Sequence, residues 1–452
     1  MPSKNALTMD IRTTRLENGV VVATETLPNI RSASLGVYLD IGSRDEVSKT
    51  NGLAHLFEHM VFKGTPKHGS LEIVKCFEAT GGQINAYTSK EQTCFYAKVV
   101  DTEVNAGLSM LLEMVLKSTF DPGELEKEKD VIIEEIKGGN DNPEDYIYDL
   151  FSEAIFDTHS LGFPIAGDEK TVKGLTRTHL IEHQKKAATS LPLFVCAVGR
   201  VNHAEVVAIA RKAFGLGKIA PALGRSALGR PVQRGSAKSV VPMAIRQSFP
   251  RPGVDFKPRH LVEKKSVTQV TALLGGPGYA WEHSNRYALL LLNTILGDGM
   301  SSKLFQSVRE SLGLVYTIYS SPEFLINAGI YAIGFATEPK DINKAVKEIC
   351  RQLTLLKKHG LKKDEMDFAK NNLRGSILLG LESTNTRMAN ISRQLMYGHK
   401  GETIESILNK LDNVSSADVK LAIKDVFRSK LWGSAAIVPK KVNLSMGRLL
   451  DF

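Results

Sequence analysis

The pentapeptide His55-Leu-Phe-Glu58-His59 constrains this chain more than any other stretch. It lies in Asn51-Gly-Leu-Ala-His-Leu-Phe-Glu-His-Met-Val-Phe-Lys-Gly64, a segment of helical pattern bounded by Gly52 and Gly64. Residues three and four apart share one face of a helix, so His55, Glu58 and His59 project together. Two imidazoles one turn apart can share a zinc ion, and a carboxylate beside them can take a proton from water activated by that ion. The order reverses the His-Glu-x-x-His zinc pattern. The plainer alternative is an amphipathic helix whose polar face happens to hold two histidines. A zinc site needs at least a third protein ligand, so the rest of the chain decides between them.

The best source of that ligand is Glu124-Leu-Glu-Lys-Glu128-Lys-Asp-Val-Ile-Ile-Glu134-Glu135-Ile-Lys137. Asp121-Pro122 supplies a helix start and Gly138-Gly139 a helix stop. Leu125, Val131, Ile132 and Ile136 form the apolar face, while Glu128, Ile132 and Glu135 fall on one stripe. A carboxylate of this helix can reach the metal, and one two turns earlier can orient a ligand from behind. Spacing alone does not choose between Glu134 and Glu135.

The stretch Gly52 to Thr65 closely resembles the M16, or pitrilysin-type, zinc peptidases, which include the mitochondrial processing peptidase and its shorter bacterial relatives. The likeness continues through Gly81-Gly-Gln-Ile-Asn85-Ala86-Tyr-Thr-Ser-Lys-Glu-Gln-Thr93, the Glu128 to Glu135 helix, and His159 to Gly167. In the second half it runs through Leu296 to Phe305, Arg309 to Tyr316 and Leu381 to Met388. The resemblance implies one Zn²⁺ per chain on His55, His59 and Glu135, with water in the open fourth position, Glu58 as general base and Glu128 as the supporting carboxylate. It also implies that Asn85 and Ala86 line the scissile bond, and that Arg309 and Tyr316 reach the substrate near zinc. A guanidinium and a phenol are suitable donors for peptide carbonyls and a developing oxyanion.

A chain of 452 residues with 42% apolar content is globular and long enough for more than one core. No run of 18 apolar residues occurs, which argues against a membrane span, and the first residues carry no secretory pattern. Cys76, Cys94, Cys196 and Cys350 lie far apart and read as reduced thiols, so a cytoplasmic location is expected. The net charge of +9 is uneven. Residues 1–215 hold 23 basic and 30 acidic side chains, whereas residues 216–265 hold 11 and 2. The Gly-, Pro- and Arg-rich middle reads as a flexible linker rather than a nucleic-acid surface, because no aromatics interleave its basic residues.

The expected fold class is α+β, with two homologous halves, each a largely antiparallel sheet backed by helices. Residues 1–215 would be the zinc domain, 216–265 the linker and 266–452 a degenerate copy. Residues 19–27 and 32–40 read as paired strands leading into the motif helix. Aligning Gly64 with Gly299 sets Leu290, Asn293 and Thr294 opposite His55, Glu58 and His59, a set that cannot bind zinc. In the family such halves face one another as a clam shell around a chamber, and the likeness implies the same here. The expected activity is endopeptidase cleavage of unfolded peptides, in a homodimer or a pairing with a related subunit. The alternatives are a processing peptidase for one precursor and a non-catalytic scaffold of the same fold.

Overall fold

The β-rich runs sort into two sheets in the computed structural model, which describes residues 11–189, 192–216, 251–398 and 402–452. The first sheet holds β1 (Ile11–Arg15), β2 (Val21–Thr26), β3 (Ser32–Leu39), β4 (Gln83–Thr88), β5 (Thr93–Val100) and β6 (Leu193–Gly199), in the order β1-β2-β6-β3-β5-β4. The second holds β7 (His260–Lys265), β8 (Val270–Pro277), β9 (Val315–Phe324), β10 (Gly329–Thr337) and β11 (Gly433–Pro439), in the order β7-β11-β8-β10-β9. Both are antiparallel except where β2 meets β6 and β7 meets β11. In sheet order, β2-β6-β3-β5-β4 matches β7-β11-β8-β10-β9 strand for strand, so the two halves repeat one plan.

Helices of the first half are α1 (Leu53–Val61), α2 (Ser70–Glu78), α3 (Val104–Lys117), α4 (Pro122–Asp141), α5 (Pro143–Phe156), α6 (Glu169–Gly174), α7 (Arg177–Thr189) and α8 (His203–Ala213). Those of the second are α9 (Arg286–Leu296), α10 (Ile342–His359), α11 (Lys363–Gly380), α12 (Thr384–Met396), α13 (Ile404–Asp412) and α14 (Ser416–Val426).

Three expectations from sequence need correction. β2 and β3 do not pair: β6 lies between them, parallel to β2 and antiparallel to β3. The stretches Val21–Ala23, Ala33–Leu39 and Leu193–Val198 are buried, as strands inside a sheet covered on both faces must be. The α4 helix does not stop at Gly138-Gly139 but runs to Asp141. Neither glycine adopts positive φ, and the stop falls at Asn142, which Pro143 forces out of the helical region. The linker does not extend to Lys265. Residues 260–265 form β7, paired with β11, and the side chain of Arg251 is buried among carboxylates of the first half. The part of the linker at 217–250 lies outside the described residues.

The halves are joined by an exchange of equivalent helices. One face of the first sheet packs on its own helices, with Leu35, Val37, Phe95 and Val195 meeting Phe57, Met60, Leu108 and Leu111. The other face presents Val21, Ala23, Tyr38, Cys94, Phe194 and Cys196, and α12 of the second half covers it with Met388, Ile391, Leu395 and Met396. Reciprocally, Ile147, Leu150, Phe151 and Ile155 of α5 cover Leu273, Ile330, Ala435 and Ile437 of the second sheet. Polar groups pin the exchange: Ser34 Oγ donates to Thr384 Oγ1 at 2.7 Å, and Arg387 pairs with the buried Glu25 at 2.5 Å.

Because α12 is a wall of the first half's core, Ile391→Ala should cost about 2–5 kcal/mol of stability, read by denaturant titration. Hydrogen exchange in β3 and β6 should accelerate as well. Faster exchange confined to the second half would refute the exchange as a source of stability for the first.

Candidate active site

The motif helix α1 buries Leu56, Phe57, Met60 and Val61 against the first sheet and turns His55, Glu58 and His59 the other way. The α4 helix crosses this polar face. Its N-terminus is fixed by Asp121, whose carboxylate accepts from the amides of Gly123 and Glu124, and its inner face buries Leu125, Ile132 and Ile133. That packing presents Glu128 and Glu135 to α1, and the side-chain atoms of His55, His59 and Glu135 converge within 4.8 Å of one another.

Glu135 Oε1 is 3.9 Å from His55 Nε2, and Glu135 Oε2 is 3.6 Å from His59 Nε2. An ion with bonds of roughly 2.0–2.1 Å in tetrahedral geometry separates its ligands by about 3.3 Å, so the three side chains must draw somewhat closer to hold one. Two neutral nitrogens and one carboxylate are a donor set that zinc takes in open, three-ligand sites. Burial, helped by the neighbouring His59, pushes the His55 imidazole down to about 4, so it is neutral and free to donate its lone pair at pH 7. Glu134 points away: it pairs with Lys137 at 2.7 Å in solvent. Of the two, Glu135 is the one that faces the histidines.

Glu128 lies behind His59. Its Oε1 is 2.9 Å from His59 Nδ1, and its Oε2 accepts from Lys63 Nζ at 2.5 Å. Burial raises this carboxyl, but the bonds from Lys63 and His59 outweigh burial and hold it below the usual carboxylate range. An ionised Glu128 must receive a proton at His59 Nδ1, which leaves the lone pair on Nε2, the atom facing Glu135. Glu58 is half-buried beside this cluster, and Thr88 Oγ1 of β4 donates to its Oε2 at 2.6 Å. Burial raises the Glu58 carboxyl, with Thr88 and His59 opposing the shift, and that brings it toward the range of an effective general base.

Comparison with known proteins places the chain in a family. Residues 21–169 match the family model for insulinase (peptidase family M16), and residues 174–373 match that for the peptidase M16 inactive domain. A protein of Mycobacterium tuberculosis called an uncharacterized zinc protease is 34% identical over 97% of this chain and 95% of its own length. One of Bacillus subtilis is 35% identical over 91% of this chain and 94% of its own. The chain belongs to peptidase family M16. Among solved structures, a protease from Helicobacter pylori shares the fold with a TM-score of 0.82 at 20% identity, covering 95% of this chain and all of that one. The peptidase M16 inactive domain from Pseudomonas fluorescens does so with a TM-score of 0.82 at 19% identity, covering 96% and 99%.

The M16 second half keeps the helix but not its two histidines and glutamate. In α9, Asn293 is buried, and its Oδ1 accepts from Ser320 Oγ at 2.7 Å and Tyr331 OH at 3.1 Å. Thr294 Oγ1 turns back to the carbonyl of Leu290 at 3.1 Å. Asn85 and Ala86 lie on β4, the outer strand of the first sheet and the strand that carries Thr88. Arg309 sits in a π-helical turn, Phe305–Ser311, with its guanidinium 4.6 Å from the Phe305 ring and 5.8 Å from the Tyr316 ring. Tyr316 is the second residue of the edge strand β9 and is 71% exposed. Among the described contacts, none joins Arg309 or Tyr316 to the His55, His59 and Glu135 cluster.

Three features escape a motif-based search. Lys63 lies one turn beyond His59, a spacing at which periodicity could have found it. Thr88 shares a strand face with Ala86 two residues earlier, again a legible spacing. The third is a cavity of about 550 Å³ that opens beside Glu135 between α4, α5 and residues 162–168, lined by Asp145, Asp149 and Asp168 among others. Its acids come from three separate segments.

Glu128→Gln should weaken metal binding by about 10–100-fold, measured by competition against a chromophoric chelator, because the amide no longer demands a proton at His59 Nδ1. Unchanged affinity would show that Glu128 serves only to pair Lys63.

Proposed function

We propose that the chain is a zinc endopeptidase that hydrolyses unfolded peptides or extended protein segments. The observation that carries this is the convergence of His55, His59 and Glu135 from two helices, with Glu58 alongside and Glu128 behind His59. A scaffold of this fold would have no need of all five groups in that order.

In this mechanism His55, His59 and Glu135 hold the ion, and His59 keeps its orientation through Glu128. A bound Zn²⁺ would polarise the scissile carbonyl and make water acidic enough to deprotonate near neutral pH. Glu58 takes the proton from the attacking water and passes it to the leaving amine. Thr88 holds Glu58 by one oxygen and leaves the other for that transfer. The substrate lies along β4 as an added strand, contacting the backbone near Asn85 and Ala86, so recognition depends little on side-chain identity. The acidic cavity beside Glu135 favours a basic side chain near the cleaved bond, since an ammonium or guanidinium there would offset the clustered carboxylates.

Arg309 and Tyr316 act on the same substrate as hydrogen-bond donors, from the opposite wall of a chamber that a second copy of the chain, or a related subunit, completes. Supporting this, Tyr316 is largely exposed and Arg309 has no ion-pair partner among the described residues.

Glu58→Gln should retain full zinc by elemental analysis and lose turnover of a fluorogenic peptide by several orders of magnitude. Glu135→Gln should lower both zinc content and activity, while Glu134→Gln changes neither. Exchange of those two phenotypes would move the third ligand to Glu134. Arg309→Ala or Tyr316→Phe should reduce kcat/KM by roughly a hundredfold with zinc content intact. Near-normal cleavage by either variant would remove the second half from the substrate site.

A further inference from the structure

The metal helix begins without a cap of its own. The first amides of an α-helix lack intrahelical partners, and a Ser, Thr, Asp or Asn side chain at the position before the helix usually supplies one. Before α1 that position is Gly52, with φ of +93°. No side chain fits there, because a Cβ on Gly52 would lie 2.5 Å from the carbonyl oxygen of Ala166. The missing acceptor comes from Glu46, six residues upstream. Its Oε2 accepts from the Gly52 amide at 2.8 Å and from Asn51 Nδ2 at 2.9 Å, and its Oε1 accepts from the Ala54 amide at 2.7 Å. Glu46 is buried, so water does not compete for these bonds.

The base of Glu46 is held as firmly as its tip. The adjacent Asp45 forms a two-pronged pair with Arg251, with Nε to Oδ1 at 2.9 Å and Nη2 to Oδ2 at 2.8 Å. Arg251 also reaches Asp40 at 3.1 Å. Asn51 donates a second bond to the Pro164 carbonyl at 2.9 Å, tying the same helix end to the segment that borders the acidic cavity. The Glu46 carboxylate therefore fixes the start of α1 one residue before His55 and one turn before Glu58.

We propose that Glu46 is a positioning residue for the metal site: it places the first turn of α1, and through it His55 and Glu58, at the distance from Glu135 that ligation and proton transfer require. This rests on the zinc peptidase reading above. A carboxylate suits the role better than an amide, because its two oxygens accept from all three donors whereas an amide offers one acceptor oxygen. Misplacement of a reacting group by about 1 Å can cost a hundredfold in rate.

The test compares Glu46→Gln with Asn202→Ala in the full chain. Asn202 caps α8 by accepting from the Ala204 amide at 2.9 Å, away from the metal cluster, so its loss is a stability control. Each protein is loaded with Co²⁺ in place of zinc, and its visible absorption spectrum, Co²⁺ affinity and Tm are recorded, followed by kcat and KM with zinc. Glu46→Gln should alter the Co²⁺ spectrum, weaken Co²⁺ binding about tenfold and lower kcat by roughly 10–100-fold with KM within about twofold. Asn202→Ala should lower Tm alone. If the wild-type chain binds no Co²⁺, the zinc reading itself fails. If it does bind, and Glu46→Gln shows the wild-type spectrum, affinity and kcat with only a lower Tm, the positioning role is overturned. Should Glu46→Gln not fold, Asn51→Ala withdraws one of the three donors. A wild-type spectrum in that variant overturns the role as well.

Discussion

A sheet buried on both faces needs two covers, and each half of this chain supplies only one for itself. The second cover of the first sheet is α12, and that of the second sheet is α5. Either half alone would leave an apolar sheet face in water, of Val, Tyr, Phe and Cys side chains in the first and of Leu, Ile and Ala in the second, together with the apolar side of its own donated helix. Burial of such a face is the dominant favourable term in folding, so the two halves stand or fall together. The boundary that composition draws near residue 216 therefore divides the sequence more cleanly than it divides the core.

The exchange bears on chemistry because the donated helix and the ligand helix are consecutive. Glu135 lies on α4, and Asn142 both ends α4 and caps α5, whose side chains sit on the second sheet. The Glu135 carboxylate is thus suspended between Asp121, which fixes one end of α4, and the core of the opposite half, which fixes the other. His55 and His59 have a different anchorage, through α1 and the first sheet. His55, His59 and Glu135 converge where two independently anchored helices cross, so the geometry of the cluster reports the packing of both halves.

Much of the site was legible because helical periodicity is a local property. Spacing alone put His55, Glu58 and His59 on one face and placed Glu128 and Glu135 on one stripe, and the structure has both. Spacing could not separate Glu134 from Glu135, since both lie on the polar side of α4. What separates them is the neighbour each meets, Lys137 for one and the histidines for the other. Long-range partners were not legible for the same reason. The strand between β2 and β3 comes from Leu193–Gly199, more than 150 residues later, and no local pattern in 19–40 announces it. An amphipathic helix likewise states that one face is buried but not under which sheet, so the exchange of α5 and α12 stayed hidden. The end of α4 misled because two glycines weaken a helix without stopping it, whereas the proline after Asn142 does stop it.

The second half shows what the same plan becomes without a metal. The α9 helix occupies the place of α1, yet Asn293 and Thr294 turn inward to neutral partners, and Ser320 and Tyr331 satisfy the Asn293 amide inside the core. A buried amide with such partners is stable only if water stays out, whereas a zinc site needs an open position that water and substrate can reach. The two demands are incompatible at one place on one helix. A half that fills this position with hydrogen-bonded polar groups gives up catalysis there and gains a rigid core. That core anchors α5 and, through it, the helix that carries Glu135.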